Sequence, residues 1–130
     1  MYAVEMHGIT KQFKNVLANS NVELMVKRGE IHSLLGENGA GKSTLMNILY
    51  GMYAPTSGQI IVQGQPVVIE NPLKAISLGI AMVHQHFMLI EPLTVAENVV
   101  LGYEPKKRGC FDMKKAVEEV NTLADQYGLH

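Results

Sequence analysis

The segment GENGAGKS at residues 36–43 constrains the fold more than any other part of this 130-residue chain. It matches the pattern G-x-x-x-x-G-K-[ST], and it lies between a short apolar run at 31–35 and a helical spacing of apolar residues at 42–50. A phosphate group needs several donors that converge on one point, and glycine-rich backbone followed by a helix N-terminus supplies them. The segment therefore predicts a phosphate-binding P-loop between a buried central strand and a helix.

The residue types in this loop each have a chemical reason. Lys42 would reach the β- and γ-phosphates as a point charge during catalysis, Ser43 would offer its hydroxyl oxygen to Mg²⁺, and Thr44 would contact the α-phosphate. The ligand indicated is a nucleoside triphosphate, most simply ATP with Mg²⁺. A glycine-rich turn that binds nothing is the alternative, and the strand and helix patterns on either side argue against it. The predicted contacts are Glu37, Asn38, Gly39, Ala40, Gly41, Lys42, Ser43 and Thr44.

Apolar periodicity and turn residues predict the remaining elements. Capping patterns add two helix starts, because Thr94 with Glu97 has the order of a capping box and Asp112 can cap a second helix that ends before Gly128. The predicted strands are 2–13, 22–26, a hairpin of 59–63 and 66–69, and 80–84, and the predicted helices are 72–78, one that begins after Thr94, and 113–127.

The composition excludes several classes of protein. The single cysteine rules out an internal disulfide, and the net charge of −1 gives no electrostatic argument for binding nucleic acid or anionic lipid. No apolar stretch approaches the length of about 18 residues that a membrane span requires. The 47% of apolar residues and 18% of charged residues fit a packed globular chain.

With the P-loop in place, the chain resembles the ATPase subunit of ABC transporters over nearly its whole length. Residues 36–44 read GENGAGKST, residues 55–58 read PTSG, and residues 93–98 read LTVAEN. Phe13 and Gln85 stand at family-like distances from the loop. The resemblance implies that Phe13 stacks on the adenine ring and that Gln85 contacts Mg²⁺ and the attacking water. From the residues alone, Phe13 would be a core residue and Gln85 a solvated loop residue.

The resemblance implies an α/β fold. It would be a truncated P-loop NTPase core of the ABC ATPase kind, with an antiparallel β subdomain and the start of a helical subdomain. We expect one partial nucleotide-binding domain over 1–130, divided into a core at 1–90 and a helical part at 91–130. Residues 79–89, with the sequence MVHQHFML at 82–89, look most like importer ATPases for simple sugars and nucleosides, nearest the nucleoside branch.

The partners implied by the resemblance are proteins rather than nucleic acid. Membrane-spanning permease subunits would contact the Gln85 loop and the segment that follows it, and a second ATPase domain would pair across ATP. The location implied is the cytoplasmic face of the plasma membrane, as a peripheral subunit. His84 and His86 flank Gln85, and packing or hydrogen bonding is a better interpretation of this pair than a metal site.

The chain departs from the family pattern because several motifs are missing from it. It has no LSGGQ-like signature and no apolar run that ends in Asp-Glu, and residues 67–70 are only a look-alike that we interpret as a hairpin strand. We therefore expect weak nucleotide binding and negligible hydrolysis by this chain alone. A small P-loop phosphotransferase is disfavoured because the only arginines are Arg28 and Arg108, and a GTP switch because Asn-Lys-x-Asp is absent.

Overall fold

The computed structural model describes residues 1–85 and 89–129. The chain divides into two compact units, Met1–Val83 and His84–His130. The division that we expect between a core at 1–90 and a helical part at 91–130 stays a prediction.

The first unit is built on a four-stranded antiparallel sheet in the order β2-β1-β3-β4. The hairpin predicted over 59–63 and 66–69 is confirmed, although its second strand ends earlier, at Val67. The helix predicted over 72–78 is also confirmed and is capped by Asn71. The elements are β1 (Tyr2–Phe13), β2 (Val16–Lys27), α1 (Lys42–Leu49), β3 (Ser57–Val62), β4 (Gln65–Val67) and α2 (Pro72–Ser77).

Strand β2 is longer than its sequence pattern predicts. It begins at Val16 directly after a two-residue turn, whereas the apolar alternation predicts a start at residue 22. The polar residues Asn19, Ser20 and Asn21 have low strand propensity, but pairing with β1 overrides that preference. The long hairpin carries the start of β2 to the region of the P-loop.

The hydrophobic core lies between the sheet and helix α1. Met6 and Ile9 on β1 are fully buried, and Leu45 and Ile48 on α1 pack into the same cluster. The helix predicted after the P-loop is therefore confirmed, with its apolar spacing facing the sheet. Burying such side chains stabilises the fold by about 1.5–3 kcal/mol each.

Two further strand predictions are wrong. Residues 31–35 and 80–84 have no strand assignment, and no strand among the described residues pairs with them. Ile31 is 99% exposed, Leu35 is 93% exposed and Val83 is 90% exposed. Leu34 and Ile80 pack against the core and are partly buried, one from each run. An apolar run becomes a strand only when a neighbour pairs with its backbone, and the described residues provide no such pairing strand.

The second unit is mainly helical. Thr94 and Glu97 form both bonds of the predicted capping box, Asp112 caps the last helix, and Gly128 ends it, so these three predictions are confirmed. The two helices pack on each other with Ala96, Val100 and Ala116 buried. Within the described ranges, the helices are too short or too polar to cross a lipid bilayer. The elements are α3 (Val95–Val100), β5 (Lys106–Lys107), β6 (Cys110–Phe111) and α4 (Met113–Tyr127).

Candidate nucleotide-binding site

The P-loop ends at Gly41, which is the N-cap of helix α1. Gly41 has the left-handed backbone conformation with φ +86°, and no side chain of the described residues caps the helix there. The first turn also contains no acidic residue. Because the first amides of a helix lack internal partners and carry the positive end of its dipole, this terminus can donate to an anion.

Strand β2 fixes the point at which the loop becomes a helix. A Cβ at position 41 would collide with the carbonyl oxygen of Ala18 and would lie 2.8 Å from Nδ2 of Asn19. The Asn19 side chain donates from Nδ2 to the Gly41 carbonyl oxygen at 3.2 Å, and the Leu45 amide donates to the same oxygen at 2.9 Å. Gly41 is therefore required both for its backbone conformation and for its close approach to β2.

Lys42 folds back across the loop. Its ammonium nitrogen donates to the carbonyl oxygens of Gly36 at 2.6 Å and Glu37 at 2.7 Å. The Glu37 carbonyl also accepts a bond of 3.2 Å from the Ala40 amide. These bonds curl the loop around the ammonium group and hold its positive charge at the base of helix α1.

A cavity of about 270 Å³ lies between the loop and the start of β2. Sequence reasoning missed the contribution of β2 to it. The available signal was the hairpin, because Val16 pairs directly with Phe13 and the strand then leads towards Gly41. The cavity is lined by Val16, Leu17, Ala18, Asn38, Gly39, Ala40, Gly41, Lys42, Ser43 and Thr44.

The residues of this cavity fit a phosphate chain and its cation. Ser43 is exposed on the first turn of α1, and Thr44 lines the same cavity. Magnesium takes oxygen ligands and is commonly held by phosphate oxygens with one or two protein oxygens. Among the described residues, no group of three His, Cys, Asp or Glu side chains could hold a metal ion.

Phe13 lies at the end of β1 and is 37% exposed. Directly opposed residues of an antiparallel pair project from the same side of the sheet, so Phe13 lies on the side of Val16. Its ring centroid is 5.2 Å from that of Tyr53, with an interplanar angle of 81°. Phe13 itself does not line the 270 Å³ cavity, and its contact with adenine stays a prediction.

Gln85 is exposed near the beginning of the second unit. Its contact with Mg²⁺ and the attacking water stays a prediction. Residues 86–88, which include His86 and the segment expected to face a permease, lie outside the described residues, so the interpretation of the two flanking histidines stays a prediction as well.

The profile of the ABC transporter family matches residues 19–130. This match covers most of the chain, including the P-loop, β2 from residue 19 onwards and both helices of the second unit. The chain belongs to the ABC transporter family.

The similar curated proteins are import ATP-binding proteins. The chain is 59% identical over 128 residues to the guanosine import ATP-binding protein NupO of Bacillus subtilis strain 168, which covers 98% of the chain and 25% of that protein. It is 51% identical over 126 residues to the nucleoside import ATP-binding protein NupA of Lactococcus lactis subsp. cremoris, which covers 97% of the chain and 25% of that protein. The chain thus spans about a quarter of the length of these relatives.

Solved structures agree on the fold. A nucleotide-free ATP-binding cassette from an ABC transporter superposes with a TM-score of 0.81 at 23% identity, covering 99% of this chain and 55% of that one. The ATP-binding cassette MJ0796, in a dimeric structure bound to ADP and Pi, superposes with a TM-score of 0.69 at 32% identity, covering 91% of this chain and 56% of that one. The predicted fold class, a P-loop core of the ABC ATPase kind with an antiparallel β subdomain, is confirmed.

Proposed function

We propose that this chain supplies the nucleotide-binding loop of the ATP-binding subunit of an ABC importer that takes up a nucleoside or a simple sugar. The observation that carries the proposal is the cavity between β2 and α1, where Lys42 and an uncapped helix terminus meet. The relatives named for guanosine and nucleoside import support the choice of transported substrate. A relative from Hahella chejuensis, named for ribose, galactose and methyl galactoside import and 44% identical over 130 residues, keeps sugars within the proposal.

The loop residues would divide the work of holding the nucleotide. Backbone amides of residues 37–41 and the first turn of α1 would donate to phosphate oxygens, and Lys42 would place one positive charge beside them. Ser43 would contribute a hydroxyl oxygen to Mg²⁺, and Phe13 would offer a ring to the base. When bound, Mg²⁺ neutralises phosphate charge, which is the main requirement of phosphoryl transfer.

The chain by itself is proposed to bind nucleotide without turning it over. Its sequence contains neither an LSGGQ-like signature nor an apolar run that ends in Asp-Glu. Hydrolysis would need those groups together with Gln85 and a second ATPase domain that closes over the nucleotide. Permease subunits would contact the Gln85 loop, and the assembly would lie at the cytoplasmic face of the plasma membrane.

Nucleotide binding is tested with a single charge change at the loop. MgATP is titrated into the ¹⁵N-labelled chain and into Lys42→Ala, and chemical shifts of loop amides report the affinity. Hydrogen bonds to charged groups contribute about 1.5–3 kcal/mol, so Lys42→Ala should weaken binding by about 10- to 100-fold. Lys114→Ala removes the same charge from an exposed position on α4 and should leave the affinity unchanged.

Phosphate release under the same conditions should remain at the background rate. Equal binding by wild type and Lys42→Ala would contradict the proposed site. Robust turnover that Lys42→Ala abolishes would show that the chain is catalytically competent alone, against the expectation stated above.

A further inference from the structure

Three side chains meet at the end of β1 and form what we call the Phe13 cluster: Lys11, Phe13 and Tyr53. The Phe13 and Tyr53 rings are 5.2 Å apart and stand at 81°, which is the edge-to-face arrangement that aromatic quadrupoles favour. The Lys11 ammonium lies over both rings, 4.9 Å from the Phe13 centroid and 5.9 Å from the Tyr53 centroid. These distances fall within the range of a cation–π contact.

Three hydrogen bonds hold the segment around Tyr53 against β1. The Lys11 ammonium donates to the Ala54 carbonyl oxygen at 2.7 Å. The Gln12 amide donates to the Thr56 hydroxyl at 3.1 Å, and the Thr56 amide donates to the Thr10 carbonyl at 2.8 Å. The segment that carries Tyr53 is therefore held against β1 by three bonds, and the Tyr53 ring is presented to Phe13 from a fixed backbone.

Phe13 would be poorly placed without such support. It is the last residue of β1, a two-residue turn follows it, and its side chain is partly exposed. A side chain at such a position samples several rotamers, and fixing one of them opposes ligand binding. The cluster fixes the ring while leaving Phe13 37% exposed, on the side of the sheet where Val16 lines the loop cavity.

We propose that Tyr53 and Lys11 are positioning residues that hold Phe13 as a stacking platform for the base of the bound nucleotide. This inference rests on the proposed function, because it assumes that the phosphates occupy the loop cavity. In this proposal the Phe13 cluster contributes the affinity for the base, and the P-loop contributes the affinity for the phosphates.

The experiment separates these two parts by comparing ATP with tripolyphosphate, which has the phosphates but no base. Tyr53→Leu should lower the affinity for ATP by about 3- to 10-fold, the range expected for an edge-to-face pair, and leave the affinity for tripolyphosphate within about twofold. Tyr53→Phe keeps the ring and should bind both ligands like the wild type. Phe13→Leu should reproduce the loss for ATP alone.

A second measurement needs no ligand. The chain contains no tryptophan, so Phe13→Trp introduces a single indole at the platform. Its time-resolved fluorescence anisotropy should show a restricted ring, and adding Tyr53→Leu should increase the amplitude of fast depolarisation at least twofold. Thermal melting followed by circular dichroism checks that each variant is folded.

The possible results are distinguishable. Equal loss of ATP and tripolyphosphate binding in Tyr53→Leu, or an unchanged ATP affinity, would overturn the positioning role and leave the phosphate site standing. An anisotropy decay of Phe13→Trp that Tyr53→Leu leaves unchanged would also overturn the positioning role of Tyr53. Tripolyphosphate binding that is absent from the wild type or indifferent to Lys42→Ala would instead contradict the proposed function.

Discussion

The antiparallel sheet and the two apolar segments at 31–35 and 80–84 share a sequence pattern that predicts strands, but only the sheet forms them. Strands β1, β2 and β3 pair along their lengths and bury Met6 and Ile9 completely. The two segments pair with no strand of the described residues and expose Ile31 and Val83 almost fully, while Leu34 and Ile80 pack against the core. In the sheet, short turns join β1 to β2 and β3 to β4, and the segment between β2 and β3 brings β3 alongside β1.

The difference shows that an apolar run specifies a strand only together with its partner. Hairpin pairing is local, so the sequence of β1 and β2 contains both halves of the structure. A central strand flanked on both sides has to recruit neighbours from distant parts of a chain, and the described residues contain none for these segments. Exposed apolar side chains on a segment that no strand pairs with also favour association between molecules.

The largest expected effect is seen when isoleucine is replaced by alanine in the sheet and, for comparison, in the segment at 31–35. Ile9→Ala should lower the free energy of unfolding by about 2–5 kcal/mol, because it opens a cavity in the core between β1 and α1. Ile31→Ala should change it by less than about 0.5 kcal/mol, because that side chain contacts solvent. Urea denaturation measures both, and a comparable loss for Ile31→Ala would show that the Ile31 side chain is packed rather than exposed.

The second prediction tests the contact between β2 and the P-loop, which follows the segment at 31–35. Gly39 and Gly41 share a φ of +86°, but a Cβ meets nothing within 4 Å at Gly39 and collides with Ala18 at Gly41. Gly39→Ala should cost about 1–2 kcal/mol for the left-handed conformation alone. Gly41→Ala should cost about 2–4 kcal/mol, because β2 must also move away. Equal losses in urea denaturation would mean that β2 does not anchor the loop.

The smallest expected effect lies on the outer side of the sheet. The Nδ1 atom of His7 is 2.8 Å from Oε2 of Glu23. This hydrogen bond is the main cause that raises the pKa of His7 above 6.5, against partial desolvation, and Glu5 raises it further. The same bond lowers the pKa of Glu23 below 4.5, and the Gly8 amide lowers it further.

The pH dependence follows from these directions. The contribution of His7 to stability is complete below pH 6.5 and is lost as the pH rises through its folded-state pKa. The contribution of Glu23 is present above pH 4.5 and is lost as the pH falls through its folded-state pKa. The difference in Tm between wild type and His7→Gln should therefore be largest between these values and shrink towards pH 8. In a Glu23→Gln background that pH dependence should largely disappear, and its persistence would contradict the pairing.

Sequence reasoning succeeded where the determinants are local. The capping box at Thr94 and the Asp112 cap each depend on residues within one helical turn. Both caps form in the structure because no distant partner is needed to form them. The loop at 36–43 was recognisable because its pattern fixes residue types at fixed spacing, and its phosphate contacts stay a prediction.

Sequence reasoning failed where a role depends on the other side of a contact. The polar residues near the start of β2 do not predict a strand. The hydrogen bond from Asn19 to Gly41 was not predictable either, because nothing in the sequence near Asn19 indicates its distant acceptor. The packing of Tyr53 on Phe13 joins segments far apart in the chain, so neither residue indicates the other. Residues 31–35 show the opposite error. Their apolar pattern predicts a strand, but no strand of the described residues pairs with them.

The ammonium group of Lys42 has three N–H bonds, and the carbonyl oxygens of Gly36 and Glu37 accept two of them. With these two bonds in place, one N–H of the ammonium group remains to donate to a further acceptor. The Lys42 side chain therefore provides a directed hydrogen-bond donor as well as a positive charge. Arginine in this position would keep the charge, but its planar guanidinium could not reproduce three divergent donors. Acetylation would remove the charge and all but one of the donors. The loop therefore selects lysine by shape as much as by charge, and even a charge-conserving change at this position would alter the site.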